Sequence, residues 1–340
     1  AFPTTDSAFV AALRAGGAHI VGTTSTHEFA WGITTYDRGR RVENPVMPGR
    51  IAGGSSGGSA EAVWKGEADL GIGTDTAGSV RIPAAWCHLL GWKFTNGLVP
   101  MDGILPLSPG LDHPGLLARD PEVLLKAADA LDATAMRMPA TILAPPEAVL
   151  WDIDPASAAL ARECAATLAS LEGLSLGEVG DYPTRDELIT CFSLVQGPAV
   201  LSAHRDMIGT WPSQRDRYPG YIVDRLTMSE DRSASELRRG GQLQSKIRNQ
   251  LEGVLHNSVV VLPVTGCAPP HTSEPNVATI NGERVDLRSV VLPNTIAANI
   301  AGLPAVTVPA SSEGTEYGVQ LLGPAGSDTT LLHLAAALMG

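Results

Sequence analysis

Gly73-Thr74-Asp75-Thr76-Ala77-Gly78-Ser79-Val80-Arg81-Ile82-Pro83 is a turn of glycine and hydroxyl residues set between two apolar runs. Leu70–Ile72 before it reads as a buried strand, and Val80–Trp86 at its end reads as a helix. A second such loop, Gly53-Gly54-Ser55-Ser56-Gly57-Gly58-Ser59, lies upstream in a Gly/Ser/Pro stretch from Met47 to Ser59. That stretch is too poor in side chains to pack as an ordinary helix or strand, so it reads as a backbone-shaped loop. Ala60–Trp64 after it is helix-prone, and the local order is loop, helix, strand, loop, helix. This alternation predicts a mixed α/β fold.

The same alternation continues outward. Thr4, Thr5 or Asp6 can cap a helix carrying Phe9, Val10 and Leu13, which Gly16 and Gly17 end, and His19–Gly22 reads as a short strand. Downstream, Pro121–Leu131 reads as a helix, Ala140–Leu143 as a strand, and Pro155–Leu171 as a long amphipathic helix capped by Asp154. Asp186–Glu252 is helical in character and interrupted at Tyr218–Tyr221. Ser258–Pro263, Ala305–Pro309 and Tyr317–Leu322 read as buried strands, and Asp328–Met339 as a closing helix with Ser327 or Asp328 near its cap. No repeat, linker tract or low-complexity segment divides the chain, so one domain over residues 1–340 is expected.

Composition narrows the function classes. With 340 residues and 44% apolar content, a sizeable core needs no covalent staples. Cys87, Cys164, Cys191 and Cys267 are scattered, without the spacing of a disulfide scaffold or a metal site, which favours reduced thiols and a cytoplasmic setting. The net charge of −12 opposes binding to phosphate backbones or anionic membranes, and the basic run Arg38–Arg41 reads as a solvated loop. No segment approaches the roughly 18 apolar residues that span a bilayer, and Ala1–Ser7 lacks signal-peptide order. No nucleic-acid or membrane partner is expected.

The two loops carry the chemistry. Acyl transfer needs a nucleophile, a base, and donors for the oxyanion. A tight Thr76-Ala77-Gly78-Ser79 turn can gather backbone N–H groups around a hydroxyl, with the N-terminus of the following helix facing the same space. A nucleotide P-loop is disfavoured because no Gly-Lys-Ser/Thr follows either glycine run. Gly54, Ser56 and Gly58 also satisfy G-x-S-x-G, which would make Ser56 a nucleophile served by His271 or His333; that elbow should follow a buried strand, and Pro48-Gly49-Arg50-Ile51-Ala52 does not read as one.

Together, GGSSGGSA at Gly53–Ala60 and GIGTDTAGSVRIPAAWCHLLGWK at Gly71–Lys93, with Ser55 and Ser79 spaced by 24 residues, resemble the amidase signature family. Thr24–Gly32, Leu107–Arg119, Ala301–Ala310 and Tyr317–Asp328 resemble its flanking elements, so the likeness covers nearly the whole chain. It implies a single-domain α/β fold, a mixed twisted β-sheet core with helices on both faces. It further implies an amide hydrolase with Ser79 as nucleophile and Ser55, preceded by a cis peptide from Gly54, as proton relay. Thr76, Ala77 and Gly78, with the Ser79 amide, would form the oxyanion hole, while Ser56, Asp75 and Arg81 would support the loops. Lys93 resembles a structural lysine, and Trp31 and Gly32 resemble positions lining the acyl side. Phe192, Trp211 and Tyr218 are read either as pocket cover or as helix packing.

The implied substrate is a small aliphatic or aryl amide, with no metal or organic cofactor, and self-association as a homodimer is left open. Two departures stand out. The family's basic lysine lies upstream of the first loop, whereas the lysines here are Lys65, Lys93, Lys126 and Lys246. The base is therefore expected on a segment preceding Ala1, and residues 1–340 alone are expected to be nearly inactive. Ala77 stands where glycine is usual, which restricts the backbone angles at that position. The rival readings are the amidase-like component of the glutamine-dependent tRNA amidotransferase and a non-catalytic scaffold of the same fold.

Overall fold

The computed structural model describes residues 5–37, 40–133, 136, 138–145, 150 and 152–340. Helix α1 is Ala8–Ala15, α2 Gly57–Trp64, α3 Arg81–Trp86, α4 Pro121–Ala130, α5 Pro155–Glu172, α6 Arg185–Ser202, α7 Gly220–Glu230, α8 Ala234–Leu255, α9 Leu287–Ala301 and α10 Asp328–Met339. The central strands are β1 (Leu70–Asp75), β2 (Leu90–Lys93), β3 (His113–Ala118), β4 (Thr141–Ala144), β5 (Ser175–Glu178), β6 (Ser258–Pro263), β7 (Ala305–Val308) and β8 (Val319–Leu322).

Among the described residues these strands form one eight-stranded sheet in the order β1-β3-β2-β7-β8-β6-β4-β5. Neighbours from β1 to β6 are antiparallel, and β6, β4 and β5 run parallel. Alternate residues of β6 divide between two cores: Val259 and Val261 pack with α1, α4, α5 and α10, while Val260 and Leu262 pack with α3, α6, α8 and α9. Each buried aliphatic side chain contributes on the order of 1.5–3 kcal/mol, and a one-residue slip would exchange the two faces. The register of the whole sheet is thereby held, and with it the places where its loops emerge. The mixed sheet with helices on both faces matches the expected fold.

Local signals set most element ends. Asp154 caps α5 by accepting from the Ala156 amide at 3.0 Å, and Gly173 ends that helix at φ +64°. Ser7, not Thr5 or Asp6, caps α1 by accepting from the Val10 amide at 3.2 Å; Thr4 lies outside the described residues, as do positions 38 and 39 of the basic run. His19–Gly22 forms no strand, and Ile20 and Val21 stand 40% and 74% exposed. Helix α2 begins at Gly57, inside the stretch read as loop. There Gly57 and Gly58 serve close packing, since a Cβ would come within 2.5 Å of Thr35 Oγ1 and 2.4 Å of the Ser25 carbonyl oxygen. No described helix is long and apolar enough to cross a membrane.

Candidate active site

The two glycine-serine loops meet at the end of β1. The Ser56 amide donates to the Ser79 carbonyl at 3.1 Å, so the loops are joined backbone to backbone. The Gly54–Ser55 peptide bond is cis. Around it, Thr26 Oγ1 donates to the Ser55 carbonyl at 2.9 Å, the His27 amide donates to the same oxygen at 3.1 Å, and Thr35 Oγ1 reaches the Gly53 carbonyl at 2.7 Å. A Cβ on Gly54 would fall 2.6 Å from Thr35 Oγ1, so only glycine admits this approach. Ser55 and Ser79 are 1% and 4% exposed. The Ser55 hydroxyl has no hydrogen-bond partner among the described residues, including Ser79 Oγ. The buried hydroxyls of Ser108, Ser157, Tyr182 and Thr307 share that state, so what singles out Ser55 is its place at the junction of the two loops.

Beneath the loops lies a fully buried ion pair. Arg81 donates to Asp75 from Nε at 3.0 Å and from Nη2 at 2.9 Å, and its remaining donors reach Gln320 Oε1 and Asn299 Oδ1, each at 2.7 Å. Asp75 also accepts from the amides of Gly78, Val80 and Arg81 at 2.7, 3.2 and 3.4 Å. Burial pushes the Asp75 carboxyl up, yet the Arg81 charge and hydrogen bonds, with Lys93 and Asn299, carry it well below the usual carboxylate range. Asp75 therefore stays ionised and fastens the serine loop to β1, β8 and α9.

This arrangement changes two expectations. The N–H of Gly78 is engaged by Asp75, so it is not available to an oxyanion, and the first amides of α3 are likewise turned onto Asp75 rather than into the site. The amides of Thr76, Ala77 and Ser79 make no hydrogen bond among the described residues and are the donors that remain. Gly78 sits at φ +106°, where a Cβ would meet Ile82 Cδ1 at 2.8 Å and Thr295 Cβ at 2.9 Å. Thr295 Oγ1 holds the Ala77 carbonyl at 2.7 Å, and Thr76 Oγ1 donates to Asp112 at 2.5 Å. The methyl of Ala77 is accommodated, with that residue 7% exposed.

The residues suggested for substrate contact are placed differently. Trp31 is 4% exposed in an apolar cluster with Leu107, Val200, Trp211, Tyr218 and Ile222, so its ring is core, as are those of Trp211 and Tyr218. Phe192 lies in the core between α6, α8 and α9. Gly32 makes room for the His27 ring, which a Cβ would overlap at 2.2 Å. Among the described residues, neither His271 nor His333 hydrogen-bonds Ser56, and His333 is exposed on α10, which packs on the opposite face of the sheet from α3.

The lysines offer no base. Lys65 pairs with Glu61 at 2.6 Å and Lys246 with Glu187, Lys126 is exposed on α4, and the buried Lys93 Nζ donates to the Phe94 carbonyl at 3.0 Å. Burial and the Arg81 charge lower Lys93 to about 7.

His27 is lowered from 6.5 to about 4 by burial and by the charges of Arg225 and Arg288. As pH falls, the unfolded chain takes up this proton first, so the stability held by neutral His27 is complete above 6.5 and drains away towards 4. Linkage puts the loss at roughly 3 kcal/mol at most. His27→Gln is expected to flatten the acid side of the stability profile, read as urea midpoints; identical acid sensitivity in both proteins would clear His27 of this role.

Thr35, Asp112, Thr295, Asn299 and Gln320 escaped the sequence reading. They come from four distant places in the chain, Thr295 and Asn299 being one turn apart on α9, and are joined to the loops only through tertiary contacts, so no local spacing reveals them.

The chain matches the Amidase family over residues 1–148 and 140–332. The indoleacetamide hydrolase of Pseudomonas savastanoi is 31% identical over 98% of this chain and 76% of its own length. A glutamyl-tRNA(Gln) amidotransferase subunit from Methanothermobacter thermautotrophicus is 30% identical over 91% of this chain and 72% of its own length. A solved 6-aminohexanoate cyclic dimer hydrolase superposes with a TM-score of 0.85 at 25% identity, covering 98% of this chain and 77% of its own. Sequence likeness along nearly the full chain and a shared fold lead to one conclusion: this chain belongs to the amidase signature family of hydrolases.

Proposed function

We propose that the protein hydrolyses a carboxamide to a carboxylate and ammonia or an amine through an acyl-enzyme on Ser79. The observation that carries this reading is the buried, unpartnered Ser55 hydroxyl, one backbone hydrogen bond away from the Ser79 loop and its uncommitted amides. Ser79 Oγ attacks the carbonyl carbon while its proton passes to Ser55, whose own proton passes to a lysine upstream of Ala1. The amides of Thr76, Ala77 and Ser79 stabilise the oxyanion. Its collapse breaks the C–N bond, the leaving amine takes a proton back along the relay, and water hydrolyses the ester on Ser79.

A cavity of about 210 Å³ lined by Thr24, Ser25, Thr26, Ser56, Gly73 and Thr74, among others, opens beside the loops along β1. Its lining by Ser56 and by Gly73 and Thr74 of β1 places it against both serine loops. The likeness to the tRNA amidotransferase favours a second reading, in which glutamine is the amide and a partner complex takes the ammonia. A fluorophosphonate probe is expected to label Ser79. A protein that turns over no amide and leaves Ser79 unlabelled would carry the fold as a scaffold instead.

A further inference from the structure

The turn that carries the uncommitted amides starts where the sheet stops. In the antiparallel pairing of β1 with β3, Asp75 lies opposite His113, and that is the last pair of the ladder. The same register carried one rung further sets Thr76 opposite Asp112, and there a side-chain bond takes over from the backbone. Thr76 Oγ1 donates to Asp112 Oδ1 at 2.5 Å, and the two residues are 3% and 7% exposed. Asp112 is itself held from the other side. Its Oδ2 accepts from the amides of Leu107 and Ser108 at 2.9 and 2.8 Å, which closes the loop 107–112 on itself. Leu107 is buried with Trp31, Val200 and Ile222, and the Leu111 carbonyl accepts from Asn299 at 3.3 Å, so both ends of that loop are anchored.

Burial pushes the Asp112 carboxyl up, and the hydrogen bonds from Thr76, Ser108 and Leu107 offset only part of that. A buried carboxylate with no cation paired to it among the described residues depends on such donors, and bonds to an ionised acceptor are stronger than neutral ones. Three contacts then fix the turn between Asp75 and Ser79: Asp75 holds the Gly78 amide, Thr295 holds the Ala77 carbonyl, and Asp112 holds the Thr76 side chain. Only the third acts on Thr76, whose amide is the first of the uncommitted donors.

We propose that Asp112 is the positioning residue for the oxyanion donors: through Thr76 it aims the amides of Thr76 and Ala77 at the carbonyl oxygen of an amide bound beside Ser79. This role rests on the amidase reading of Ser79. The competing role is a plain staple of the loop 107–112. Thr76→Val separates the two, since it removes the link and leaves the carboxylate its two amides. The readouts, in the complete protein, are the rate at which a fluorophosphonate labels Ser79, and kcat and KM on butyramide. Thr76→Val is expected to slow labelling and to lower kcat by about 10²-fold, the scale of a misplaced oxyanion donor, with KM little changed. Asp112→Ala should cost a similar factor, and the double variant no more than the larger single loss, because both changes remove one contact. Thr76→Ser, which keeps the hydroxyl, should recover most of the loss, and circular dichroism confirms that each variant is folded. Labelling of Thr76→Val at the wild-type rate, a loss carried by KM alone, or single losses that multiply in the double variant would overturn the role of Asp112, while wild-type labelling leaves the amidase reading standing. A wild-type protein that is neither labelled at Ser79 nor active on the amide would remove that reading and the role of Asp112 with it.

Discussion

On the proposed mechanism, Ser79→Ala in the complete protein is expected to lower amide hydrolysis by about 10⁴-fold or more while leaving the fold intact, since removing a nucleophile that acts as part of a relay costs most of the rate at once. The side chain is small, and the hydrogen bonds that fasten its loop run through the Ser79 carbonyl, the Asp75 carboxylate and Thr295, none of which the substitution touches. Ser55→Ala should cost a comparable factor, and the double variant little more, because both hydroxyls serve one proton path. The measurement is kcat/KM on a carboxamide, with circular dichroism confirming folding. Retention of wild-type turnover by Ser79→Ala would remove Ser79 from the chemistry and, with it, the mechanism.

Arg81→Met is the substitution expected to cost most stability, about 3–5 kcal/mol, the usual result of removing one partner from a buried pair. It strands an ionised Asp75 and also empties the donors that Gln320 Oε1 and Asn299 Oδ1 accept. Lys93, lowered to about 7 in part by the Arg81 charge, is a cation that acts on Asp75 from the described residues and can answer in part. Against a typical total of roughly 5–15 kcal/mol, the variant should show a much lower urea midpoint and a loosened Ser79 loop. Combining Arg81→Met with Asp75→Asn should recover part of the loss, because the uncompensated charge is gone. A loss below about 1 kcal/mol would mean that the pair merely decorates the core.

Much of the architecture was legible because it is local. Ser258–Pro263 and Asp328–Met339 were bounded correctly by apolar runs and their flanking residues, and Asp154 capped α5 as its position implied. Strands β2 and β3 were not read. Leu90–Lys93 is too short to show a period, and the Pro114 and Gly115 of His113–Ala118 disguise a strand that is nonetheless buried along its length. Helix α9 was hidden in the same way, since Pro293 lies inside it and its apolar residues run too continuously to show one face.

The sequence by itself determined the fold class, the family, and which hydroxyls sit on loops that only glycine can shape, because periodicity and steric freedom are properties of neighbouring residues. Only the tertiary structure decided which amides around Ser79 remain uncommitted, that Trp31 is core beneath Arg225, and that Arg81 is locked to Asp75, Gln320 and Asn299. Those outcomes depend on hydrogen bonds and charges from α7, α9 and β8 converging on one point, and through-space electrostatics has no signature in the spacing along a chain.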